Sequence, residues 1–249
     1  MLRGFSSPIF RAGFHIMQIA LISDVHSNLQ ALEAVMERID GVSVDTIFCL
    51  GDVVGYGADP SACLEIVRER CSGIVLGNHD LAVSTGLHAS YLPKDGRKAA
   101  RQNRKALSEG ELEFLKSLPY FLEEEACSLV HATPLTPERW IRLSSFQLSQ
   151  AQFDCFETDV CFMGHSHKPS VISDKLGVHQ VRHGHRYLIN IGSVGQPRDG
   201  DPRACVAFFN TERCEYRLER IEYNIEKAAE RIKEEGLPKR LGKRLAIGV

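Results

Sequence analysis

The sequence lacks both a membrane-length apolar run and an excess of charge of either sign. No apolar stretch approaches the roughly 18 residues that a membrane-spanning helix needs. Its 30 lysine and arginine residues nearly balance 32 aspartate and glutamate residues, which leaves a formal net charge of -2. A chain with this balance has no general attraction for nucleic acid or for an anionic membrane surface. An anionic ligand would therefore have to be neutralised locally, inside a site.

Cysteine pairs at the spacing of metal or redox motifs are also absent. None of the eight cysteines forms a Cys-x-x-Cys pair, and Cys49, Cys161 and Cys205 lie in apolar runs that are typical of strands. Free thiols in a reducing compartment explain this distribution better than a disulfide framework does.

The N-terminal segment lacks the sustained apolar core of a secretory signal. Residues 1–16 contain Arg3, Arg11 and no acidic residue, so they faintly resemble an organelle transit peptide. A strong strand pattern begins at Met17, which we interpret as the natural start. We therefore predict that residues 1–16 are a dispensable extension and that the protein is cytoplasmic.

Length and periodicity predict one α/β domain. With 249 residues, 43% of them hydrophobic, the chain is long enough for one such domain and too short for two. Three strand patterns separated by helical patterns open the chain, which favours right-handed crossovers and a parallel sheet. We expect two sheets packed between outer helices over residues 17–236, followed by a basic C-terminal tail over 237–249. The strand patterns cover residues 17–23, 46–50, 73–76, 127–131, 160–163, 170–173, 187–191, 204–209 and 216–221, and the helical patterns cover 29–39, a segment after Pro60, 96–118 and 225–235.

Metal-binding side chains follow five of these strand patterns. Because the carboxyl ends of strands in an open α/β sheet meet at one edge, the loops that follow them should deliver these side chains to one region. In Asp-x-His and His-x-His segments, both side chains project to the same side if the chain is extended. The candidate ligands are Asp24, His26, Asp52, Asn78, His131, His165 and His167.

The composition of this set indicates which metals it would hold. It offers four imidazoles, two carboxylates and one amide oxygen, with no thiolate. That mixture suits Mn, Fe, Zn, Co or Ni and is too rich in nitrogen for Ca or Mg. Seven ligands exceed the needs of one first-row ion but fit two ions if a carboxylate bridges them, and Asp52 is our candidate for the bridge. Each motif alone is weak, since a lone histidine is more often structural, but the ordered series favours a metal centre.

The motif series resembles that of the calcineurin-like metallophosphoesterases. The resemblance spans about residues 17–209 and is closest to small bacterial phosphodiesterases related to the diadenosine tetraphosphatases, which carry segments like 23–28 and 192–198. It implies a four-layer α-β-β-α sandwich with two mixed sheets and two divalent metal ions, with Mn favoured. It also implies that one metal is held by Asp24, His26, Asp52 and His167, and the other by Asp52, Asn78, His131 and His165.

The second motif departs from that of the protein Ser/Thr phosphatases of this superfamily, which read Gly-Asp-x-Val-Asp-Arg-Gly. Here Gly55 replaces the acid that supports their catalytic histidine, and Tyr56 replaces an arginine that grips phosphate. The departure argues against a protein phosphatase. It also argues against the same arginine-dependent grip in a dinucleoside tetraphosphatase.

We therefore predict a metal-dependent phosphoesterase that hydrolyses phosphodiester bonds of small or nucleotide-type substrates through a hydroxide bridging two metals. His79 has no metal assigned to it and is our candidate catalytic residue, a general acid that protonates the leaving alkoxide. Asp80 either orients His79 or has a structural role. Asn28, Ser193 and Arg198 are candidates for substrate contact, although a tight connection between strands explains the segment 192–195 equally well.

Two alternatives remain open at this point. The chain could be a phosphomonoesterase or a dinucleoside polyphosphate hydrolase, but monoester dianions call for extra cations and Tyr56 removes one, which favours diesters. It could instead be a catalytically inactive interaction scaffold of the same fold, although all the candidate ligands and His79 are present. The expected partner is a small phosphate ester, with neither membrane nor specific nucleic acid, and a homo-oligomer is compatible with the sequence.

Overall fold

The structure, a computed structural model, describes residues 17–124, 126–178 and 180–249. The predicted extension over residues 1–16 lies outside the described residues. The strands are β1 (Gln18–Ile22), β2 (Thr46–Cys49), β3 (Gly73–Ile74), β4 (Phe121–Glu123), β5 (Ser128–Val130), β6 (Val160–Met163), β7 (Ser170–Ser173), β8 (Tyr187–Asn190), β9 (Ala204–Asn210) and β10 (Glu215–Ile221). The α-helices are α1 (Leu29–Asp40), α2 (Pro60–Arg70), α3 (Asn78–Thr85), α4 (Lys94–Ala106), α5 (Glu109–Ser117), α6 (Phe146–Gln150), α7 (Ile225–Glu234) and α8 (Lys239–Leu245).

The strands form two five-stranded sheets, both of mixed direction. The first has the order β10-β9-β1-β2-β3, in which β1, β2 and β3 are parallel and the other pairs antiparallel. The second has the order β4-β5-β6-β8-β7, in which β5, β6 and β8 are parallel. The predicted fold class, an α/β sandwich with two mixed sheets, is confirmed.

Alternation along β1 explains how the layers pack. Successive side chains of a strand point to opposite faces of its sheet. Ile19 and Leu21 belong to a buried cluster shared with Phe162 of the second sheet, whereas Ala20 and Ile22 belong to the cluster beneath the helices. All of these side chains are almost completely buried, and burial of an Ile, Leu or Phe side chain stabilises a fold by about 1.5–3 kcal/mol. The sheets therefore pack face to face, and β1 is buried on both faces.

The helical segment predicted over 96–118 is two helices, α4 and α5. The helix is interrupted before Ser108. The Ser108 hydroxyl accepts a hydrogen bond from the backbone N–H of Glu111, and the Glu111 carboxylate accepts one from the backbone N–H of Ser108. This reciprocal arrangement starts a new helix. The prediction missed it because the helical polarity pattern continues across the break.

The basic C-terminal segment folds back onto the domain. In α8, Leu241 and Leu245 are buried in one cluster with Ile232 of α7 and with Tyr56. The structure thus places residues 239–245 beside the loop after β2. The limits of the domain, 17–236, stay a prediction.

The structure bears on two features of the sequence, its unpaired cysteines and its lack of a membrane-length apolar run. All eight cysteines are free, as predicted, and burial raises the pKa of the Cys71 and Cys127 thiols to about 12. In the described ranges of the chain, no helix combines the length and the apolar character needed to cross a membrane.

Candidate metal centre

The structure brings all the candidate ligands together beyond the carboxyl ends of β1, β2, β3, β5 and β6. Most of them are almost fully buried, whereas Asn78 and His165 are half-buried. The parallel strands of the two sheets thus deliver their loops to one region, as the sequence predicted.

The first group of donor atoms surrounds Asp24. Its Oδ1 atom lies 3.1 Å from His167 Nε2 and 3.7 Å from His26 Nε2. The two imidazole atoms, His26 Nε2 and His167 Nε2, are themselves 3.1 Å apart. These three donor atoms all lie within 4.8 Å of one another, so they could hold one metal ion.

The second group surrounds Asp52 and Asn78. The Oδ2 atom of Asp52 lies 3.3 Å from His131 Nε2, and Asn78 Oδ1 also lies 3.3 Å from that nitrogen. Asn78 Oδ1 is 2.8 Å from His165 Nδ1. Asp52 Oδ2 is in addition 3.7 Å from His26 Nε2 of the first group. One carboxylate oxygen therefore lies between the two groups.

Three of the imidazoles are oriented with a lone pair toward the cluster. A carbonyl oxygen can only accept a hydrogen bond, so a ring nitrogen bonded to it must carry the proton. The Nδ1 atoms of His26, His131 and His167 donate to the backbone carbonyls of Val54, Leu50 and Gln196, at 3.2, 2.7 and 2.6 Å. Whenever such a ring is neutral, its Nε2 lone pair faces inward, toward other acceptors. Such an arrangement is repulsive unless a positive charge lies between the acceptors.

Burial and charge set the protonation states of the cluster. Burial raises the pKa of Asp24, but His167 and other neighbours outweigh it and hold that pKa well below its usual range. Burial likewise raises the pKa of Asp52, and its histidine neighbours, His131 foremost, hold it below its usual range. Burial lowers the pKa of His131, but the charge of Asp52 and other neighbours outweighs burial and raises that pKa to about 9. Burial and the charge of His131 lower the pKa of His165 to about 3. Both carboxylates are ionised, and a cation at Asp52 would compete with the proton of His131.

These residues fit divalent first-row metals. Metal–ligand bonds of about 2.0–2.2 Å place the atoms that share one ion about 3.0–3.6 Å apart. The measured separations run from 2.8 Å to 3.7 Å. Asp24 Oδ1 is also buried without a hydrogen-bond partner, an arrangement that is costly unless a cation satisfies it. The donor set and its geometry therefore suit cations better than hydrogen bonds alone.

The ligand loops have a strained backbone. Asp24, His26, Asp52, His165 and His167 all have positive φ angles, from 50° to 63°. A non-glycine residue in this region costs of the order of 1–3 kcal/mol, and such residues cluster at functional sites. The expectation that Asp-x-His and His-x-His are extended is wrong, because left-handed turns bring these pairs together.

Hydrogen bonds between the loops hold these turns in place. The backbone N–H groups of Asp24 and His26 donate to the carbonyls of Gly51 and Asp52, at 3.0 and 2.9 Å. Gly164 lies so close to the first loop that a Cβ atom on it would overlap the Asp24 carboxylate. The loops therefore support one another, which maintains the strained conformation.

His79 lies at the edge of the cluster. Its backbone N–H donates to Asp52 Oδ1 at 2.7 Å, and its ring centroid is 4.8 Å from that of His26 and 4.4 Å from that of Tyr56. His79 also has a ring nitrogen within 4.8 Å of donor atoms of His26 and Asp52. Its Nδ1 atom is buried without a hydrogen-bond partner, and burial lowers its pKa to about 4. The structure places its ring where it faces both the donor atoms and the cleft.

Asp80 supports the loops rather than the His79 ring. Its two carboxylate oxygens accept hydrogen bonds from the backbone N–H groups of Val54 and Gly77, each at 3.1 Å. Gly55, which has φ +103°, explains why no acid supports His79 from the second motif. A Cβ atom on Gly55 would lie 2.5 Å from His79 Nδ1. Of the two roles considered for Asp80, the structural one agrees with these contacts.

Asn28 and Ser193 make structural contacts, which agrees with the alternative of a tight connection, and their contact with substrate stays a prediction. The Asn28 side chain caps α1 by accepting from Ala31 N at 3.2 Å and donates to Gly195 O at 2.9 Å. The hydroxyl of Ser193 is fully buried and donates to the backbone carbonyl of Asp24 at 2.8 Å. Both residues hold the loop over 192–198 against the loop after β1. Arg198, the third candidate, lines the cleft.

A cleft of about 880 Å³ opens over the half-buried Asn78 and His165. Trp140 lies in its wall, with its ring centroid 5.8 Å from that of His131. Sequence reasoning missed Tyr91 and Arg244 because they follow no strand, although both line the cleft. Besides members of the ligand cluster, the wall is formed by Tyr56, His79, His88, Tyr91, Leu92, Pro93, Glu138, Arg139, Trp140, Arg142, Arg198 and Arg244.

Two mixed sheets packed face to face, with carboxylates and imidazoles gathered at their strand ends, define the metallophosphoesterase fold. A family model for the calcineurin-like phosphoesterase superfamily domain matches residues 17–213, and the chain belongs to this superfamily. Its members are generally metal-dependent phosphoesterases. The resemblance drawn from the motifs is confirmed.

Similar proteins cover most of the chain. The chain is 41% identical over 241 residues to the uncharacterized protein MJ0912 of Methanocaldococcus jannaschii, a match covering 92% of this chain and 98% of that protein. The crystal structure of a metallophosphoesterase from Sphaerobacter thermophilus has 37% sequence identity and a TM-score of 0.83, over 94% of this chain and 100% of that chain. A symmetrical bis(5'-nucleosyl)-tetraphosphatase of Pectobacterium carotovorum is 38% identical over 85 residues, 32% of this chain and 30% of that protein.

Proposed function

We propose that this chain is a phosphoesterase that uses two divalent metal ions, with Mn favoured, to hydrolyse phosphodiester bonds of small or nucleotide-type substrates. The observation that carries the proposal is the position of Asp52 Oδ2, 3.7 Å from His26 Nε2 and 3.3 Å from His131 Nε2. A carboxylate oxygen between two groups of donor atoms is what a bridging ligand requires. In this proposal, one metal is held by Asp24, His26, Asp52 and His167, and the other by Asp52, Asn78, His131 and His165.

When bound, the pair of cations supplies a water of lowered pKa and neutralises charge on the phosphoryl oxygens. The side chains of the chain supply the rest. Asn78 and His165 are half-buried at the floor of the cleft, so a phosphate can reach the donor atoms there. His79 lies beside Asp52 and faces the same cleft. Burial lowers its pKa to about 4, so in this proposal the bound phosphate raises that pKa before the ring gives a proton to the leaving oxygen.

A second candidate function is favoured by the charge of the cleft. Arg139, Arg142, Arg198 and Arg244 all line it, and extra cations suit a phosphomonoester dianion or a dinucleoside polyphosphate. The partial match to a symmetrical bis(5'-nucleosyl)-tetraphosphatase agrees with this candidate, although it covers only 32% of the chain. The expected partner in either case is a small phosphate ester.

Turnover measurements test the proposal. The protein loaded with Mn is assayed with bis(p-nitrophenyl) phosphate and with p-nitrophenyl phosphate, before and after treatment with a chelator. We expect hydrolysis that the chelator abolishes and that Mn restores. Metal-loaded protein that hydrolyses neither ester nor any dinucleotide ester would instead support the inactive scaffold.

The role of His79 has its own test. His79→Ala should keep the metal content but lose about 10²–10⁴ in kcat on a phenyl ester, because phenolate is a poor leaving group that needs a proton. The loss should be smaller on the p-nitrophenyl ester, whose leaving group needs less help. His183→Ala is the matched control, since His183 is exposed and outside the cluster. Equal losses on the two esters would refute the proton-donor role.

A further inference from the structure

Two arginine side chains lie over one aromatic ring beside the ligand cluster. The Cζ atoms of Arg198 and Arg244 are 5.5 and 6.0 Å from the ring centroid of Tyr56. The same ring also contacts His26, at 4.8 Å between centroids, and His79, at 4.4 Å. One aromatic ring therefore has two guanidinium groups and two imidazoles as neighbours.

Neither arginine has an acidic side chain as a partner. Within the part of the chain that the structure describes, no aspartate or glutamate side chain lies within ion-pair distance of Arg198 or Arg244. Arg198 donates from Nη2 to Gln196 Oε1 at 2.9 Å, but its Nε atom is buried without a hydrogen-bond partner. Arg244 donates from Nε to the main-chain oxygen of Val249 at 2.6 Å. Both groups thus keep donors for a further acceptor.

The guanidinium groups of Arg198 and Arg244 share one aromatic neighbour although their like charges repel each other. Burial and the charge of Arg198 lower the pKa of Arg244, and Tyr56 and Asp95 only partly offset them. Like charges brought together without an acidic side chain paired to either of them are typical of a site that binds an anion.

Packing fixes both side chains in place. The backbone around Arg198 is bonded to His167. The carbonyl of Gln196 accepts from His167 Nδ1 at 2.6 Å, and the backbone N–H of Arg198 donates to His167 O at 3.2 Å. Arg244 is carried by α8, whose Leu241 and Leu245 are buried in one cluster with Tyr56. Both arginines therefore point into the cleft from fixed elements, one from the loop over 192–198 and one from the C-terminal helix.

We infer that Arg198 and Arg244 form a phosphate-binding subsite on the ring of Tyr56. The subsite supplies the positive charge that the protein phosphatases of this superfamily carry on an arginine at the position of Tyr56. Guanidinium groups bind phosphate oxygens with paired, charge-assisted hydrogen bonds. The inference rests on the proposed function, since the phosphate it binds is that of the substrate.

The subsite bears on substrate class. The expected preference for diesters depended on the absence of a cation at position 56, and that premise no longer holds if the charge comes from two other elements. A monoester dianion gains more from added positive charge than a diester monoanion does. Arg198 and Arg244 are then specificity-determining residues for the more highly charged substrate.

Kinetics of single variants test the subsite. Arg244→Gln and Arg198→Gln are compared with wild type on p-nitrophenyl phosphate and bis(p-nitrophenyl) phosphate. We expect KM for the monoester to rise about ten- to a hundredfold, the value of one hydrogen bond to a charged group, with a smaller rise for the diester. Arg244→Lys, which keeps the charge without the planar fork, should recover part of the loss. Lys243→Gln is the matched control, because Lys243 is exposed and does not line the cleft.

A second readout does not depend on turnover. The affinity of the Mn-loaded protein for inorganic phosphate, measured by calorimetry, should fall by a similar factor in Arg244→Gln and stay unchanged in Lys243→Gln. Folded, metal-loaded Arg198→Gln and Arg244→Gln proteins with wild-type phosphate affinity would overturn the subsite. A wild-type protein that binds phosphate but hydrolyses no ester would overturn the proposed function and leave the subsite standing.

Discussion

Replacing Asp52 by asparagine removes one negative charge from the centre of the cluster with little change in shape. The backbone N–H of His79 donates to Asp52 Oδ1 at 2.7 Å and still needs an acceptor in the variant. The asparagine therefore keeps its amide oxygen toward His79 and turns its amide NH2 toward His26 Nε2 and His131 Nε2. Both groups of metal-binding atoms lose an anionic ligand, and each faces an N–H group instead.

The size of the effect follows from this geometry. Loss of a residue that only hydrogen-bonds to a metal ligand weakens metal affinity by about 10–100-fold. Loss of a shared ligand should exceed the upper end of that range, about 10²-fold, for both ions. Asn78→Ala is the informative comparison, because Asn78 Oδ1 lies within hydrogen-bond distance of His131 and His165, both of the second group. We expect Asp52→Asn to lose both metals and Asn78→Ala to lose one.

The assay is elemental analysis of each protein after dialysis against a fixed Mn concentration, with circular dichroism to confirm folding. Asp154→Asn is the matched control, since Asp154 is exposed and belongs to none of the groups of candidate metal ligands. An Asp52→Asn protein that retains two metal ions with wild-type affinity would refute the bridging role. Loss of one metal only would place Asp52 in a single site.

Three further predictions follow from particular contacts. Gly55→Ala should lose most turnover while retaining its metals, because the new Cβ would lie 2.5 Å from His79 Nδ1. A wild-type kcat in this variant would show that the His79 ring can move freely. Phe162→Ala should lower the free energy of unfolding by about 3–5 kcal/mol in urea, because Phe162 is fully buried between the sheets, and a change below 1 kcal/mol would contradict that packing. Addition of Mn at about 100 times its Kd should stabilise the folded protein by about 2.7 kcal/mol. The stabilisation is measured as a rise in Tm, which the Asp52→Asn protein should not show. Equal rises in both proteins would point to Mn binding elsewhere.

Much of the fold could be predicted because its strands are short apolar runs with clear ends. Nine strand patterns agree with strands of the structure, and the tenth strand, β4, covers only Phe121–Glu123 and gives almost no pattern. α3 was missed for a similar reason, since the motif residues at its start obscure its helical character. The ends of β3 also differ, because Val75 and Leu76 continue the apolar run beyond the paired residues.

The candidate ligands could be predicted because each follows a strand directly, so local sequence decides where the side chain is delivered. The way the loops turn could not, since the positive φ of His26 and His167 depends on hydrogen bonds between loops that are distant in sequence. Arg244 was missed for the same reason. It reaches Tyr56 only because the apolar residues of α8 pack against the domain, and a run of basic residues gives no sign of that.

The central claim is that Asp52 joins two cations held by the remaining candidate ligands. Anomalous diffraction from crystals soaked in Mn tests it most directly. We expect two peaks about 3.5–4 Å apart, one bounded by Asp24, His26 and His167 and the other by Asn78, His131 and His165, with the Asp52 carboxylate between them. A single peak, or two peaks of which one does not contact Asp52, would contradict the account.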